Sequence, residues 1–132
     1  MLFSIPEPLP ADGVEVQTGI ACPDCSGTLI VIVRKDFAAF RCRIGHAYSL
    51  PEVLASMEET LERRLWNVVA AMEELADFLS VASQHRLAHA EPDAFRHRSG
   101  SVREHAQVVR SVIQAERPLR PNAAALATPD TP

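Results

Sequence analysis

The most regular alternation of apolar and polar positions along the chain begins after Ser49. Leu50, Leu54, Met57, Leu61, Leu65, Val68, Met72, Leu75 and Leu79 advance in steps of three or four, eight steps over 29 residues, close to the α-helical repeat of about 3.6. The spacing predicts a helix from Leu50 to the region of Leu87. Its start carries a separate signal. Ser49 and Glu52 stand in the S-x-x-E relation of a capping box, and Pro51 suits a first turn, where amide donors have no partner within the helix. A second, weaker stripe joins Phe95, Val102, Ala106, Val109 and Ile113 after the break at Glu91 and Pro92. Two amphipathic helices joined by a short connection pack antiparallel and hide their stripes against each other. The first stripe is longer than the second can cover, so the preceding hairpin or another chain is expected to cover the rest, the latter making a dimer.

Before Ser49 the pattern is that of strands. Thr28 to Val33 is a β-branched and leucine run, Arg34, Lys35 and Asp36 are turn material, and Phe37 to Cys42 returns. Residues 1–19 hold Pro6, Pro8, Pro10, Gly13 and Gly19 with no sustained apolar period, and read as a flexible arm. PLRPNAAALATPDTP, residues 118–132, reads as a disordered tail because proline cannot continue a helix. The expected fold is therefore small and α+β. A zinc-ribbon-like β-hairpin over residues 20–48 precedes a long antiparallel helical hairpin over 49–117, between disordered ends.

Composition narrows the function classes. Of 132 residues, 10 are proline, and the foldable part is about 90–95 residues. A core of that size has a thin stability margin, to which a metal cross-link or a partner surface contributes usefully. No apolar run approaches the roughly 20 residues of a membrane span, and MLFSIPEPLPADG lacks the basic and apolar blocks of a secretory signal. A cytoplasmic, reducing setting is the expectation. A net charge of −4 supplies no overall basic field and argues against a nucleic-acid partner.

In that setting three cysteines are poorly explained by disulfides, which leave one thiol over; metal ligation uses all three. Cys22 and Cys25 sit on a tight knuckle that Gly27 relaxes, and Cys42 and His46 form a second pair with Gly45 beside the histidine. The pattern C-x2-C-x16-C-x3-H matches the spacing of a structural Cys3His zinc site, with coincidental thiols or an iron-loaded form as the minor alternatives. Four protein ligands leave no open position for water, so the expected role is structural. Arg41 and Arg43 flank Cys42, where they offset the site's formal −1 charge or simply face solvent.

Other candidates have plainer readings. His85 and His89 share a helical face but lack a third ligand, so a polar helix end is the simpler account. His97 and His105 read as exposed histidines of the second helix. Trp66, off the centre of the first stripe, reads as buried against the zinc hairpin or the second helix, with a partner anchor as the alternative. Glu58, Glu59, Glu62, Glu73, Glu74 and Asp77, interleaved with Arg63 and Arg64, read as a solvated acidic face in which Glu59 and Arg63 are spaced to pair.

CPDCSGTL, then FRCRIGHAYSL, then a long helix with LERRLWNVVAAMEELADFL resembles the zinc-ribbon and helical tail of bacterial chemotaxis proteins of the protein-glutamate methylesterase type. The likeness covers residues 20–114. It implies an accessory module without the methylesterase domain, whose Ser/His/Asp set and strand-to-helix turn have no counterpart in this sequence. The expectation is a non-enzymatic, zinc-stabilised protein-interaction module in a signalling setting, with no catalytic residue and no small-molecule substrate. Its partner is another protein or a second copy, engaged through the first helix's stripe. The runner-up is a nucleic-acid-binding zinc ribbon, using Arg34, Lys35, Arg41 and Arg43 with Phe37 and Phe40 for stacking. A small zinc hydrolase, a third class, requires one ligand to give way to water.

Overall fold

The computed structural model describes residues 2–85, Leu87 and 91–115. Four strands form one antiparallel sheet in sequence order: β1 (Val14–Ala21), β2 (Thr28–Arg34), β3 (Phe37–Arg41) and β4 (Ala47–Tyr48). Two helices follow, α1 (Leu50–Gln84) and α2 (Pro92–Ala115). The class is α+β, as the sequence implies, with a four-stranded meander where a two-stranded hairpin was expected. The chain divides into two compact units within α1, between Met57 and Glu58.

The additional strand comes from residues assigned to the N-terminal arm. In VEVQTGIA the apolar side chains of Val14, Val16 and Ile20 alternate with Glu15, Gln17 and Gly19, the period of a strand with one face on a core. Val14 pairs with Val33 and Gln17 with Ile30, after which the register shifts before Ala21 meets Thr28. Thr18 fills that irregularity. Its buried hydroxyl donates to the Leu29 carbonyl at 2.7 Å and accepts the Ile20 N–H at 3.1 Å, satisfying backbone groups the interrupted ladder leaves over. The prolines and Gly13 that suggested a flexible arm therefore precede residue 14, while residues 14–19, Gly19 among them, belong to the sheet.

β2 and β3 form the expected hairpin, Ile30 facing Arg41 and Arg34 facing Phe37. One face of the sheet buries Leu29, Val31 and Phe40 with Cys22, Cys42 and Val53, and Phe3, Val16, Ile20, Val33 and Tyr48 pack around them. Val53 comes from the first turn of α1, so the helix start is part of the sheet unit's core. The capping box forms as its spacing implies: the Ser49 N–H donates to Glu52 Oε2 at 2.6 Å and the Glu52 N–H to Ser49 Oγ at 3.3 Å. Hydrogen bonding from Ser49, its N–H first, holds the Glu52 carboxyl below its usual range.

In the helical unit α1 and α2 pack together, but not along the leucine-rich stripe. The seam is built from Val69, Ala76, Leu79 and Ser83 on α1 and Ser99, Ala106 and Ile113 on α2, all buried. Four of these seven side chains are alanine or serine. Small residues let the helices approach closely, and Ser99 uses that closeness to donate its hydroxyl to the Ala76 carbonyl at 2.7 Å. Ser83 likewise donates to the Pro92 carbonyl at 2.8 Å. Of the nine stripe positions only Leu79 is fully buried; Leu50, Met57, Leu61, Val68 and Leu75 are exposed. α1 ends at Gln84, and His89 and the tail at 118–132 lie outside the described residues.

Candidate metal centre

The ligand cluster lies at one end of the sheet core, and each pair of ligands is held by its own backbone turn. In the first, the Ser26 N–H donates to the Cys22 carbonyl at 2.9 Å and the Cys22 N–H to the Gly27 carbonyl at 2.6 Å. The left-handed residue is Ser26, with φ of 62°, rather than Gly27. Gly27 contributes closeness instead: a Cβ there would lie 3.4 Å from Cys25 Sγ. In the second turn the Gly45 N–H donates to the Cys42 carbonyl at 3.1 Å and the Cys42 N–H to the His46 carbonyl at 3.0 Å. Gly45 has φ of 111°, a conformation that only glycine adopts without strain.

These turns bring Cys22, Cys25, Cys42 and His46 together, with all four ligand atoms within 4.8 Å of one another. His46 presents Nδ1, 3.4 Å from Cys42 Sγ and 3.7 Å from Cys22 Sγ. A tetrahedral ion with metal–sulfur bonds near 2.3 Å and metal–nitrogen bonds near 2.0 Å requires sulfur–nitrogen edges of about 3.5 Å. The two sulfur–nitrogen edges match such an ion, and the four atoms, all within 4.8 Å, lie close to the size of its coordination shell.

The surroundings favour thiolate. Burial pushes the Cys22 thiol up, but the Tyr48 hydroxyl and the amides of Cys25 and Asp24 outweigh it and bring it down to about 6. Cys42 is likewise lowered, burial being overcome by the amides of His46, Gly45 and Ile44; the His46 N–H points at Cys42 Sγ from 3.3 Å. Cys25 moves the other way: the Gly27 amide lowers it, but burial and the neighbouring cysteine sulfurs raise it further. Three sulfurs crowded together resist sharing charge unless a cation lies among them.

Tyr48 and Asp24 are parts of the site that the ligand spacing does not reveal. The Tyr48 hydroxyl donates to Asp24 Oδ2 and lies 3.4 Å from Cys22 Sγ, and the Asp24 carboxylate raises the tyrosine's pKa above its ordinary value. The available signal was positional, since Asp24 stands between the first two cysteines and Tyr48 two residues beyond His46.

Several residues weighed from the sequence lie elsewhere. Arg41 faces Glu15 across the sheet at 3.9 Å and Arg43 is exposed. Phe40 is buried in the sheet core and offers no face for base stacking, while Phe37 is exposed. His85, His97 and His105 are exposed, and Cys22, Cys25, Cys42 and His46 form the only metal-competent cluster among the described residues. Trp66 is seated by the second helix, with the Arg110 guanidinium 5.6 Å from its ring centroid. In the acidic face Glu73 pairs with Arg110 and Asp77 with Arg103, while Arg63 donates to Thr60 Oγ1 at 3.3 Å. Glu58 departs from a solvated reading, for its Oε2 is sealed from solvent without a hydrogen-bond partner.

Comparison with family models, curated proteins and solved structures finds no match to this chain. No described helix is long and apolar enough to cross a membrane.

Proposed function

We propose that the chain is a non-catalytic, zinc-stabilised protein-interaction module. The observation that carries this reading is the convergence of three sulfurs and one imidazole nitrogen within 4.8 Å at the end of the sheet core. Cys22, Cys25, Cys42 and His46 would hold zinc through four protein ligands, leaving no position for water or substrate, which distinguishes a structural from a hydrolytic site. Zinc supplies a cross-link between the two turns. The residues around it do the rest: the Tyr48 hydroxyl and backbone amides lower the Cys22 thiol, backbone amides lower that of Cys42, and Tyr48 lies between Asp24 and Cys22. The sheet unit's core, including Val53 at the start of α1, closes over Cys22 and Cys42.

Association is the function assigned to the helices, because much of the leucine-rich stripe of α1 faces solvent. The likeness of the Cys/His segment and the following helix to the tail of methylesterase-type chemotaxis proteins supports a bacterial signalling setting in the cytoplasm, in company with such a protein. Burial of Phe40 weighs against the nucleic-acid alternative.

Cobalt substitution tests the metal reading. The purified chain is expected to give the absorption of tetrahedral, thiolate-bound Co2+, displaced by one equivalent of Zn2+ and lost in Cys42→Ser. An octahedral spectrum, or none, overturns it. Co-purification with a methylesterase-type protein tests the setting separately, and failure there leaves the metal centre standing.

A further inference from the structure

The ion pairs Glu73–Arg110 and Asp77–Arg103 close one flank of the α1/α2 seam. At about 100° per residue, Leu61, Val68 and Leu75 lie on the opposite flank of α1. Val112 lies on the matching flank of α2, with Val108 at its outer edge. These five residues are 41–60% exposed. The acidic residues of this stretch of α1 do not reach that flank: along the line 61, 64, 68, 71, 75 the only charged side chain is Arg64.

We infer that this flank binds the same flank of a second copy, so that two helical hairpins form a four-helix bundle about a twofold axis through Val68. The inference rests on the association reading above and is independent of the metal. Three features select a second copy over another partner. First, the apolar line is symmetric about its centre. Leu61 and Leu75 stand seven residues to either side of Val68, so an antiparallel pair of α1 helices sets Leu61 of one copy against Leu75 of the other and Val68 against Val68. This is the self-complementarity a twofold interface requires, and seven-residue spacing suits interlocking of side chains.

Second, the like-charge pair that α1 contributes is kept apart, while on α2 the same flank carries exposed Arg98 and His105, fourteen and seven residues before Val112. The two Arg64 residues fall eight residues apart along the paired helices, about 12 Å, beyond the screening length of roughly 8–10 Å at physiological salt. Third, the area suffices. The five residues expose on the order of 400 Å² per copy, the size of the largest, often functional, apolar patch on a typical monomer. Doubled, and with the polar rim that accompanies an interface about 60% apolar, this gives roughly 1,300 Å², the size of a specific complex.

Sedimentation velocity on the full, zinc-loaded chain across the micromolar range tests the inference. The wild type is expected to sediment as a dimer. Val68→Glu, which places unpaired carboxylates at the twofold, is expected to weaken the dimer by about 100-fold or more with zinc content and helical dichroism unchanged. Phe78→Glu, an exposed position off the flank, is expected to leave it intact. As a second readout, Val68→Cys should cross-link to a covalent dimer under mild oxidation far faster than Phe78→Cys. A monomer at every concentration overturns the inference, whether the chain's own residues 116–132 or a different protein covers the flank, and so does a dimer indifferent to Val68→Glu. A monomer that still binds one zinc overturns the twofold alone, and a dimer without zinc overturns the metal reading alone.

Discussion

The sheet unit and the helical unit solve the same problem, a small core, by opposite means. The sheet unit has few large side chains to bury: Leu29, Val31, Phe40 and Val53 make most of its core, and Cys22 and Cys42 complete it. Six buried side chains with Phe3, Val16, Ile20, Val33 and Tyr48 around them leave a four-stranded sheet a narrow margin, to which a cross-link between its turns would contribute. The helical unit relies on close approach. Its seam of Ala76, Ser83, Ser99 and Ala106 gives up apolar area for proximity and two buried serine hydrogen bonds, with Val69, Leu79 and Ile113 supplying the larger contacts. One unit is expected to depend on a metal and the other to be indifferent to it.

The largest predicted effect separates the two. Chelation, or Cys42→Ser, is expected to unfold the sheet unit, because metal binding and folding are coupled in a site of this kind, while most helical dichroism survives. The amide resonances of Val16, Val31 and Phe40 should collapse toward random-coil shifts while those of Ala76 and Ala106 hold. The converse change is Ile113→Ala in the helical seam. Removing a fully buried isoleucine is expected to cost about 2–5 kcal/mol there, read as an earlier helical unfolding transition with zinc stoichiometry unaltered.

A smaller effect is predicted at the second metal turn. No atom lies within 4 Å of where a Gly45 Cβ would be, so Gly45→Ala is disfavoured only by its φ of 111°. The expected penalty is about 1–3 kcal/mol, seen as easier loss of zinc to a competing chelator with the helices unaffected. The smallest lies where the sheet unit meets its helix start. Ser49→Ala removes one half of the capping box and is expected to cost about 1 kcal/mol. Because the Glu52 carboxyl is depressed in the folded chain, its contribution is present above the ordinary value of 4.5 and is lost as pH falls through the lower folded value. In Glu52→Gln that acid-side loss should disappear from the pH profile of helix stability.

What the sequence disclosed differs between the units in an instructive way. The Cys/His cluster was legible because a tetrahedral site dictates residue types and spacings locally, and Cys22, Cys25, Cys42 and His46 lie in the two turns on either side of the β2–β3 hairpin. The capping box at Ser49 was legible for the same reason, as a local arrangement with a fixed offset. Strand β1 was obscured because Pro10, Gly13 and Gly19 surround a short alternation, and its pairing with β2 passes through an irregularity that only Thr18 makes tenable. Tyr48 and Asp24 come together through the fold, a relation no spacing encodes.

For the helices, existence followed from the 3.6-residue period and the start of α1 from its capping box, while the end expected near Leu87 falls at Gln84 and the buried face was not foreseen. Counting large apolar residues favoured the line of Leu61, Val68 and Leu75. Helix packing instead selected the neighbouring line of Val69, Ala76 and Ser83, whose small side chains permit the approach. The leucine-rich line was thereby left to solvent, and that displacement motivates the twofold proposed above.

The most direct test of the central claim is native mass spectrometry of the purified chain with and without a chelator, with circular dichroism recorded on both samples. One zinc per chain, whose removal abolishes the β contribution and leaves most of the helical signal, is the predicted result. A chain that carries no metal, or one whose sheet signal is unchanged after the metal is removed, would contradict it.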